Sequence, residues 1–253
     1  MGASDSKEQT PIQEILIIIA MEAEAMPFIE HLKLEKAEPT KLPAQLPCTA
    51  YAGKVGDLKI TVVTNGKDRT HGVDSVGTVS AAITAFAAVQ AYKADLIINA
   101  GTAGGFKAMG ANIGDVYIST ELKNHDRRIP IPDFVTFATG AIKAVPTPNL
   151  AIALGLKQGV VTTGNSLDCT EKDAEIMKAN GAHVKDMEGA ALAYVADLCK
   201  IPFFSIKSVT DIVDGDRTTS EEFLENLAAA AKSLQSTLPK AIEFIAGKTV
   251  EQL

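Results

Sequence analysis

Short, nearly continuous apolar runs recur along the chain, and they constrain its fold more strongly than any other feature of the sequence. We predict β-strands over Glu14–Ala20, Leu58–Thr64, Asp95–Ala100, Val116–Thr120, Val160–Thr163 and Phe203–Val209. Apolar residues at consecutive positions are typical of strands that are buried on both faces of a sheet. The chain has 253 residues, of which 46% are hydrophobic, enough for one large domain with a sizeable core.

Helix-like patterns separate these runs. We predict helices over Glu22–Leu32, Val73–Ala91, Asn149–Ala153, Glu171–Ala179, Met187–Cys199 and Ser220–Ile245, with Asp74 or Ser75, Thr170 and Thr219 as N-caps of the second, fourth and last. This alternation favours a single-domain α/β fold, a three-layer α/β/α sandwich around a mixed, largely parallel central sheet. We expect a flexible tail over residues 1–12 and the folded domain over residues 13–253.

Charge and cysteine content indicate the surroundings of the protein. The net charge of -7 argues against nucleic acid or an anionic membrane as a partner. The three cysteines are scattered without a CxxC pair, and neither a membrane-spanning run nor a cleavable signal is visible, so we expect a cytoplasmic protein. Met1-Gly2 with Ser6 fits the minimal N-myristoylation pattern, but a polar tail is the reading we favour.

Three carboxylates stand where predicted elements begin or end. Glu24 follows the first predicted strand, Asp211 follows the last, and Glu188 lies at the head of an alanine-rich helix. Each has an ordinary alternative, since an acid in the first turn of a helix is favoured by the helix dipole and aspartate is common in turns. Ligands of open α/β sheets bind beyond the carboxyl ends of the strands, so the three together predict one site.

The glycine-rich run Gly101–Gly105 follows a predicted strand and reads GTAGG. It matches neither the GxGxxG dinucleotide fingerprint nor a phosphate-binding loop with its lysine, which disfavours a dinucleotide-dependent enzyme. A tight turn and a backbone contact to a ligand both remain open for it. The four histidines show no metal-ligand spacing, so we predict no metal and no cofactor. Carboxylates without a metal suit general acid–base cleavage of a glycosidic bond.

The segments AMEAEA, NAGTAGG, VTTGNSLD, KDMEGAALAYVA and SVTDIVDGD resemble the nucleoside phosphorylase/hydrolase superfamily. Within it they are most similar to 5′-methylthioadenosine/S-adenosylhomocysteine nucleosidases, and HDRRIPIP, GANIGDV, HGVDSVGTV and EEFLENL to the plant type. The resemblance covers nearly the whole chain from about Ile12 onward. It implies hydrolysis of 5′-methylthioadenosine to adenine and 5-methylthioribose without a cofactor, with S-adenosylhomocysteine as a second candidate substrate.

The resemblance also implies roles for single residues. Glu24 falls on the base that activates water, and Asp211 on the acid that protonates adenine N7. Met187 and Glu188 fall on a pair of which the glutamate binds the ribose hydroxyls. The remaining expected nucleoside contacts are Thr102, Ala103, Gly104, Leu167 and Asp168. Bacterial members carry Phe-Ile at the last two positions, and Arg and Ser where this chain has Lys207 and Thr210.

Two alternative functions are considered within the same superfamily. A nucleoside phosphorylase would carry arginine at Asn99 and would lack Glu24, whose charge would repel phosphate. A storage or binding relative would have lost one of the three carboxylates.

The family also implies a homodimer in which the irregular segment Asn124–Pro148 of one subunit closes part of the other's pocket. Val73–Ala91 is the candidate interface helix, although a core helix fits its pattern as well.

Overall fold

The apolar runs form the middle of a ten-stranded sheet in the computed structural model, which describes residues 10–253. The strands are β1 Glu14–Ile19, β2 Glu35–Lys36, β3 Thr49–Val55, β4 Leu58–Thr64, β5 Leu96–Gly105, β6 Val116–Asn124, β7 Ile142–Lys143, β8 Lys157–Thr163, β9 Ala182–Asp186 and β10 Phe203–Ile212. The helices are α1 Glu22–His31, α2 Thr78–Ala91, α3 Pro132–Thr139, α4 Pro148–Leu154, α5 Glu171–Ala179, α6 Gly189–Cys199 and α7 Thr219–Ile245.

The sheet is mixed, as expected, but part of it closes on itself. Its strand order is β10-β6-β8-β9-β5-β1-β4-β3-β2, and β10 also pairs with β5, so five strands form a ring. Register shifts in β10, β6 and β9 mark bulges, which bend strands and allow a sheet to close. The single-domain α/β fold is confirmed, whereas a plain three-layer sandwich is not.

The glycine-rich run is part of a strand and not a tight turn. β5 continues to Gly105 because Gly101–Gly105 pairs with β10, and its last two residues also pair with β9. A Cβ at Gly105 would lie 2.7 Å from the Cβ of Ala111. Absence of side chains therefore lets three strands and a loop pack closely at this point.

Asp211 also lies inside a strand, not after it as predicted. β10 extends to Ile212, and Asp211 pairs with Gly104 just beyond the bulge. This extension was not predicted, because Thr210 and Asp211 are polar and sequence patterns associate buried strands with apolar positions.

Helix α2 begins at Thr78, so the prediction that it starts at Val73 is wrong. Its N-cap is Gly77, with φ of 95°, and neither Asp74 nor Ser75 caps it. The Asn165 Oδ1 atom accepts from the Thr78 N–H at 2.9 Å instead. A residue distant in sequence thus satisfies the helix end.

The predicted N-cap of α5 is confirmed, whereas that of α7 is one residue off. Thr170 and Asp173 form a reciprocal capping box at α5. The N-cap of α7 is Thr218, not Thr219, and its side chain makes no capping hydrogen bond.

The segment Asn124–Pro148, expected to be irregular, contains the short elements α3 and β7. The proline-rich stretch Lys33–Pro47 contains the two-residue strand β2. The first nine residues of the predicted tail, including Gly2 and Ser6, lie outside the described residues. None of the described helices is long and apolar enough to cross a membrane.

The capping difference between α5 and α7 gives a stability test. We expect Thr170→Ala to lower the free energy of unfolding by about 1 kcal/mol, because it removes the capping hydrogen bond. Thr218→Ala is the matched control, and we expect a change within about 0.5 kcal/mol. Urea unfolding followed by circular dichroism measures both, and equal losses would contradict the capping role of Thr170.

Candidate active site

A cavity of about 290 Å³ opens where the carboxyl ends of β1, β5 and β10 meet α6. Its lining includes eight of the nine predicted site residues: Glu24, Thr102, Ala103, Gly104, Leu167, Met187, Glu188 and Asp211. Asp168 is exposed and does not line it. Met21, Val76 and Phe223 add apolar surface. The sheet therefore brings together carboxylates that lie 187 residues apart, from Glu24 to Asp211.

Glu24 is held by the glycine-rich strand. Its Oε1 atom accepts from the Thr102 N–H at 2.7 Å and from the Thr102 hydroxyl at 2.6 Å. Burial raises the pKa of Glu24, although these hydrogen bonds and the charge of Lys207 lower it. The first turn of α1 thus presents a fixed, buried carboxylate to the cavity, not a solvated charge.

Asp211 occupies space that Gly104 leaves free. A Cβ at Gly104 would lie 2.6 Å from Asp211 Oδ2, so no other residue fits there without displacing the acid. The Thr210 hydroxyl donates to Asp211 Oδ1 at 2.7 Å. Burial raises the pKa of Asp211, and the hydrogen bond from Thr210 opposes this rise only in part.

Glu188 precedes the first turn of α6 and is buried. Its Oε1 atom accepts from the Gly77 N–H at 2.8 Å, so the segment before α2 orients it. Burial raises the pKa of Glu188 to about 7, and the positive charge of Lys207 opposes that rise. Neighbouring carboxylates raise it further. The carboxylate is thus poised to change charge near neutral pH.

A buried ion pair supports the wall of the cavity. The Lys207 Nζ atom lies 2.8 Å from Asp186 Oδ2, and both side chains are excluded from solvent. The same Asp186 Oδ2 atom accepts from the Gly189 N–H at 2.8 Å, and its Oδ1 accepts from the Thr163 hydroxyl at 2.6 Å. Burial alone would lower the pKa of Lys207, but the nearby carboxylates outweigh it and raise the pKa.

Sequence reasoning did not assign Asp186 or Lys185 to the site, although both line the cavity. Their position could have pointed to the site, because both lie directly before the predicted site residue Met187, in a stretch that folds as β9. Charged residues within a short buried strand carry a desolvation cost that only partners in the folded structure can offset. β9 was not predicted as a strand, because its lysine and aspartate interrupt the apolar run that indicates a buried strand.

The cavity combines several carboxylates with raised pKa values and two buried ammonium groups. A carboxyl group with a raised pKa can hold a proton near neutral pH and donate it to a leaving group. An ionised one can orient water or stabilise positive charge. Within residues 10–253, no three histidine, cysteine or acidic side chains are grouped so that they could hold a metal ion.

Comparison with known proteins identifies the family. Residues 14–243 match the Phosphorylase superfamily. The chain is 50% identical over 252 residues to a 5′-methylthioadenosine/S-adenosylhomocysteine nucleosidase of Arabidopsis thaliana, covering 100% of this chain and 99% of that protein. It is 49% identical over 243 residues to a 5′-methylthioadenosine nucleosidase of the same plant, covering 96% and 91%.

Solved structures agree with this assignment. The apo form of the Arabidopsis thaliana 5′-methylthioadenosine nucleosidase superposes with a TM-score of 0.95 at 49% identity, covering 96% of this chain and 100% of that one. A Helicobacter pylori futalosine hydrolase, at 22% identity and a TM-score of 0.77, shares the fold. The chain belongs to the phosphorylase superfamily and, within it, to the 5′-methylthioadenosine/S-adenosylhomocysteine nucleosidase family.

Proposed function

We propose that the protein hydrolyses the N-glycosidic bond of 5′-methylthioadenosine, releasing adenine and 5-methylthioribose. One observation carries the proposal: Glu24, Glu188 and Asp211 are all buried in the wall of a single cavity. The names of the two Arabidopsis relatives supply the substrate. The first is named for S-adenosylhomocysteine as well, which makes this nucleoside the second substrate to compare.

Asp211 is the general acid of this reaction. Adenine is a poor leaving group as an anion, and a proton on N7 lets it leave as a neutral base. Because burial raises the pKa of Asp211, the carboxyl group can hold that proton closer to neutral pH. Gly104 leaves the space that the carboxyl group occupies.

Glu24 and Glu188 act on the sugar. Glu24 orients a water molecule toward C1′ and accepts a proton as the C1′–O bond forms and the C1′–N9 bond breaks. Glu188 binds the ribose 2′- and 3′-hydroxyls and, when ionised, stabilises the positive charge that develops on the ring. Lys207 favours the ionised form of both glutamates.

Water is the nucleophile that fits this cavity better than phosphate. Of the described residues that line it, the cations are Lys185 and Lys207, and both already have partners. Asn99, at the position where related phosphorylases carry arginine, is buried and donates to the Ile18 carbonyl. A phosphate ion would also be repelled by ionised Glu24.

We also propose a homodimer, which rests on an apolar surface. α2 exposes Val79, Ile83 and Phe86 at the spacing of one helix face, and so is not a fully buried core helix. The neighbouring helix α6 exposes Tyr194 and Leu198. A groove of about 350 Å³ lies between these helices and the start of the segment Asn124–Pro148. Contiguous apolar surface of this kind marks interaction sites.

A cytoplasmic location is a further proposal. Cys48, Cys169 and Cys199 are all free thiols in the folded chain. Free thiols are typical of proteins in reducing compartments.

Adenine release tests the proposed reaction. We expect the protein to release adenine from 5′-methylthioadenosine in phosphate-free buffer at a rate that added phosphate does not change. Chromatography of the products, beside a parallel reaction with S-adenosylhomocysteine, measures the rate on each substrate. Strict dependence on phosphate would indicate a phosphorylase, and no release from either would indicate a binding relative.

Matched variants connect that activity to the carboxylates. Asp211→Asn, Glu24→Gln and Glu188→Gln should each lower turnover by roughly 10²–10⁴-fold, the usual contribution of a positioned acid or base. Asp216→Asn is the control, because Asp216 is exposed and lies outside the cavity. An Asp211→Asn protein with full activity would refute the acid role.

The pH profile provides a separate prediction. Glu188 has a pKa of about 7 in the ligand-free protein, so it is mostly protonated below that pH and ionised above it. We therefore expect ionisation of Glu188 to raise kcat/KM through pH about 7, and loss of the Asp211 proton to lower it. Glu188→Gln should lose the rise near pH 7 in its residual activity. A Glu188→Gln profile that keeps this rise would contradict the assignment.

The dimer has its own test. Sedimentation should give twice the 26.6 kDa mass of one chain. Ile83→Asp should dissociate the protein, because it places a charge in the apolar face of α2. Ile152→Asp is the matched control, since Ile152 is exposed on α4 and lies outside that face. A monomer mass that does not change with wild-type concentration would overturn the proposal.

A further inference from the structure

Lys185 is a second buried lysine in the cavity wall, and the reaction described above does not use it. It is 5% exposed and lies on β9, where it pairs with Gly104 of β5 and with Thr162 of β8. Its side chain lines the cavity. The closed ring of strands therefore holds an ammonium group at a defined place beside the acid Asp211.

The partners of Lys185 are two consecutive backbone carbonyls. Its Nζ atom donates to the Leu167 oxygen at 2.7 Å and to the Asp168 oxygen at 2.5 Å. Within the described part of the chain, residues 166–169 make no backbone–backbone hydrogen bond. Among residues 10–253, the one further contact from a distant element to these carbonyls is weak, from the Thr219 hydroxyl to the Leu167 oxygen at 3.3 Å. Lys185 is thus the main tether of this segment.

Burying the Lys185 ammonium costs desolvation free energy, and a residue that only filled space here would not incur that cost. Among the described residues, no carboxylate lies within ion-pair distance of the Lys185 ammonium, so two carbonyl dipoles offset its burial. Burial lowers the pKa of Lys185. An apolar residue would fill the same space without burying a charge.

We infer that Lys185 is a positioning residue that holds the segment Ser166–Asp168 against the purine base of the substrate. The inference rests on the proposed function, in which Asp211 contacts N7 of adenine. Ser166, Leu167 and Lys185 line the same cavity as Asp211, which places the segment beside the bound base. The ammonium fixes two carbonyls of a segment that has few other hydrogen bonds. It thus preorganises this side of the cavity for binding of the base.

The charge of Lys185 also acts on the acid. It lowers the pKa of Asp211, against the burial and the Glu222 carboxylate that raise it. The groups that act on Lys185 itself are Cys169, Asp211, Asp168 and Asp173, all of which oppose the effect of burial. Loss of the ammonium would therefore raise the pKa of Asp211 and move the alkaline fall of kcat/KM to higher pH.

Lys185→Met, Lys185→Arg and the control Lys123→Met test the inference. Lys123 is also largely buried and donates to a loop carbonyl, that of Asn180, but it lies outside the cavity. We expect Lys185→Met to raise KM and to lower kcat/KM on the order of 100-fold, the scale expected when a positioned wall shifts by about 1 Å. Its alkaline limb should move to higher pH, and the profile of Lys123→Met should match the wild type.

Lys185→Arg separates position from charge and remains informative if Lys185→Met does not fold. The guanidinium keeps the positive charge but has a planar fork in place of a compact ammonium. We expect the alkaline limb of Lys185→Arg to stay in place while KM rises.

Hydrogen exchange is a readout that does not depend on turnover, and it is followed at the hydrogen-bonded N–H groups that flank the segment, those of Gly164, Asn165 and Thr170. Exchange should be faster in Lys185→Met than in Lys123→Met. Unchanged exchange, together with kcat/KM within twofold of the control, would overturn the tether. A wild-type protein that releases no adenine would overturn the proposed function instead, and the exchange comparison would still decide whether Lys185 holds the segment.

Discussion

The buried ion pair between Lys207 and Asp186 is the interaction on which the rest of the site depends. It joins β10 to β9, and the remaining acceptor capacity of Asp186 is used by the Thr163 hydroxyl of β8 and the Gly189 N–H at the start of α6. A buried ion pair offsets its desolvation only when such additional hydrogen bonds are present. Because Met187 and Glu188 lie between Asp186 and Gly189, the pair also determines where this stretch of chain enters the cavity.

Burial of the carboxyl groups in this cavity makes their ionisation less favourable and makes their interactions with a bound substrate stronger. Exclusion of water raises the pKa values of Glu24, Glu188 and Asp211, which disfavours their charged forms. The same exclusion strengthens every charge–charge interaction with a bound substrate. The proposed reaction needs one carboxyl group that keeps its proton and others that lose theirs, and unequal hydrogen bonding separates their behaviour. Backbone and hydroxyl donors from Thr102 stabilise the ionised form of Glu24, whereas Asp211 accepts from a single hydroxyl.

Local patterns predicted most of the elements but fewer of their ends. Strand β4 was predicted with the observed bounds, and Thr170 was predicted as the N-cap of α5 that the structure shows. The ends of β5 and β10 were missed because glycines and polar residues there are paired by strands distant in sequence. Strand β9 was missed because its buried lysine and aspartate resemble a surface segment until their partners are known.

Periodicity and short motifs are local properties of a chain, so the order of amino acids was enough to predict the α/β class, the family and the carboxylates that meet in one cavity. The folded chain was needed to see that five strands close into a ring, that Gly77 and Asn165 complete the start of α2, and that Asp168 stays outside the cavity. It was also needed to see the partners of the two buried lysines. The physical reason is that the cost of burying a charge depends on atoms contributed by distant parts of the chain, and no local pattern contains them.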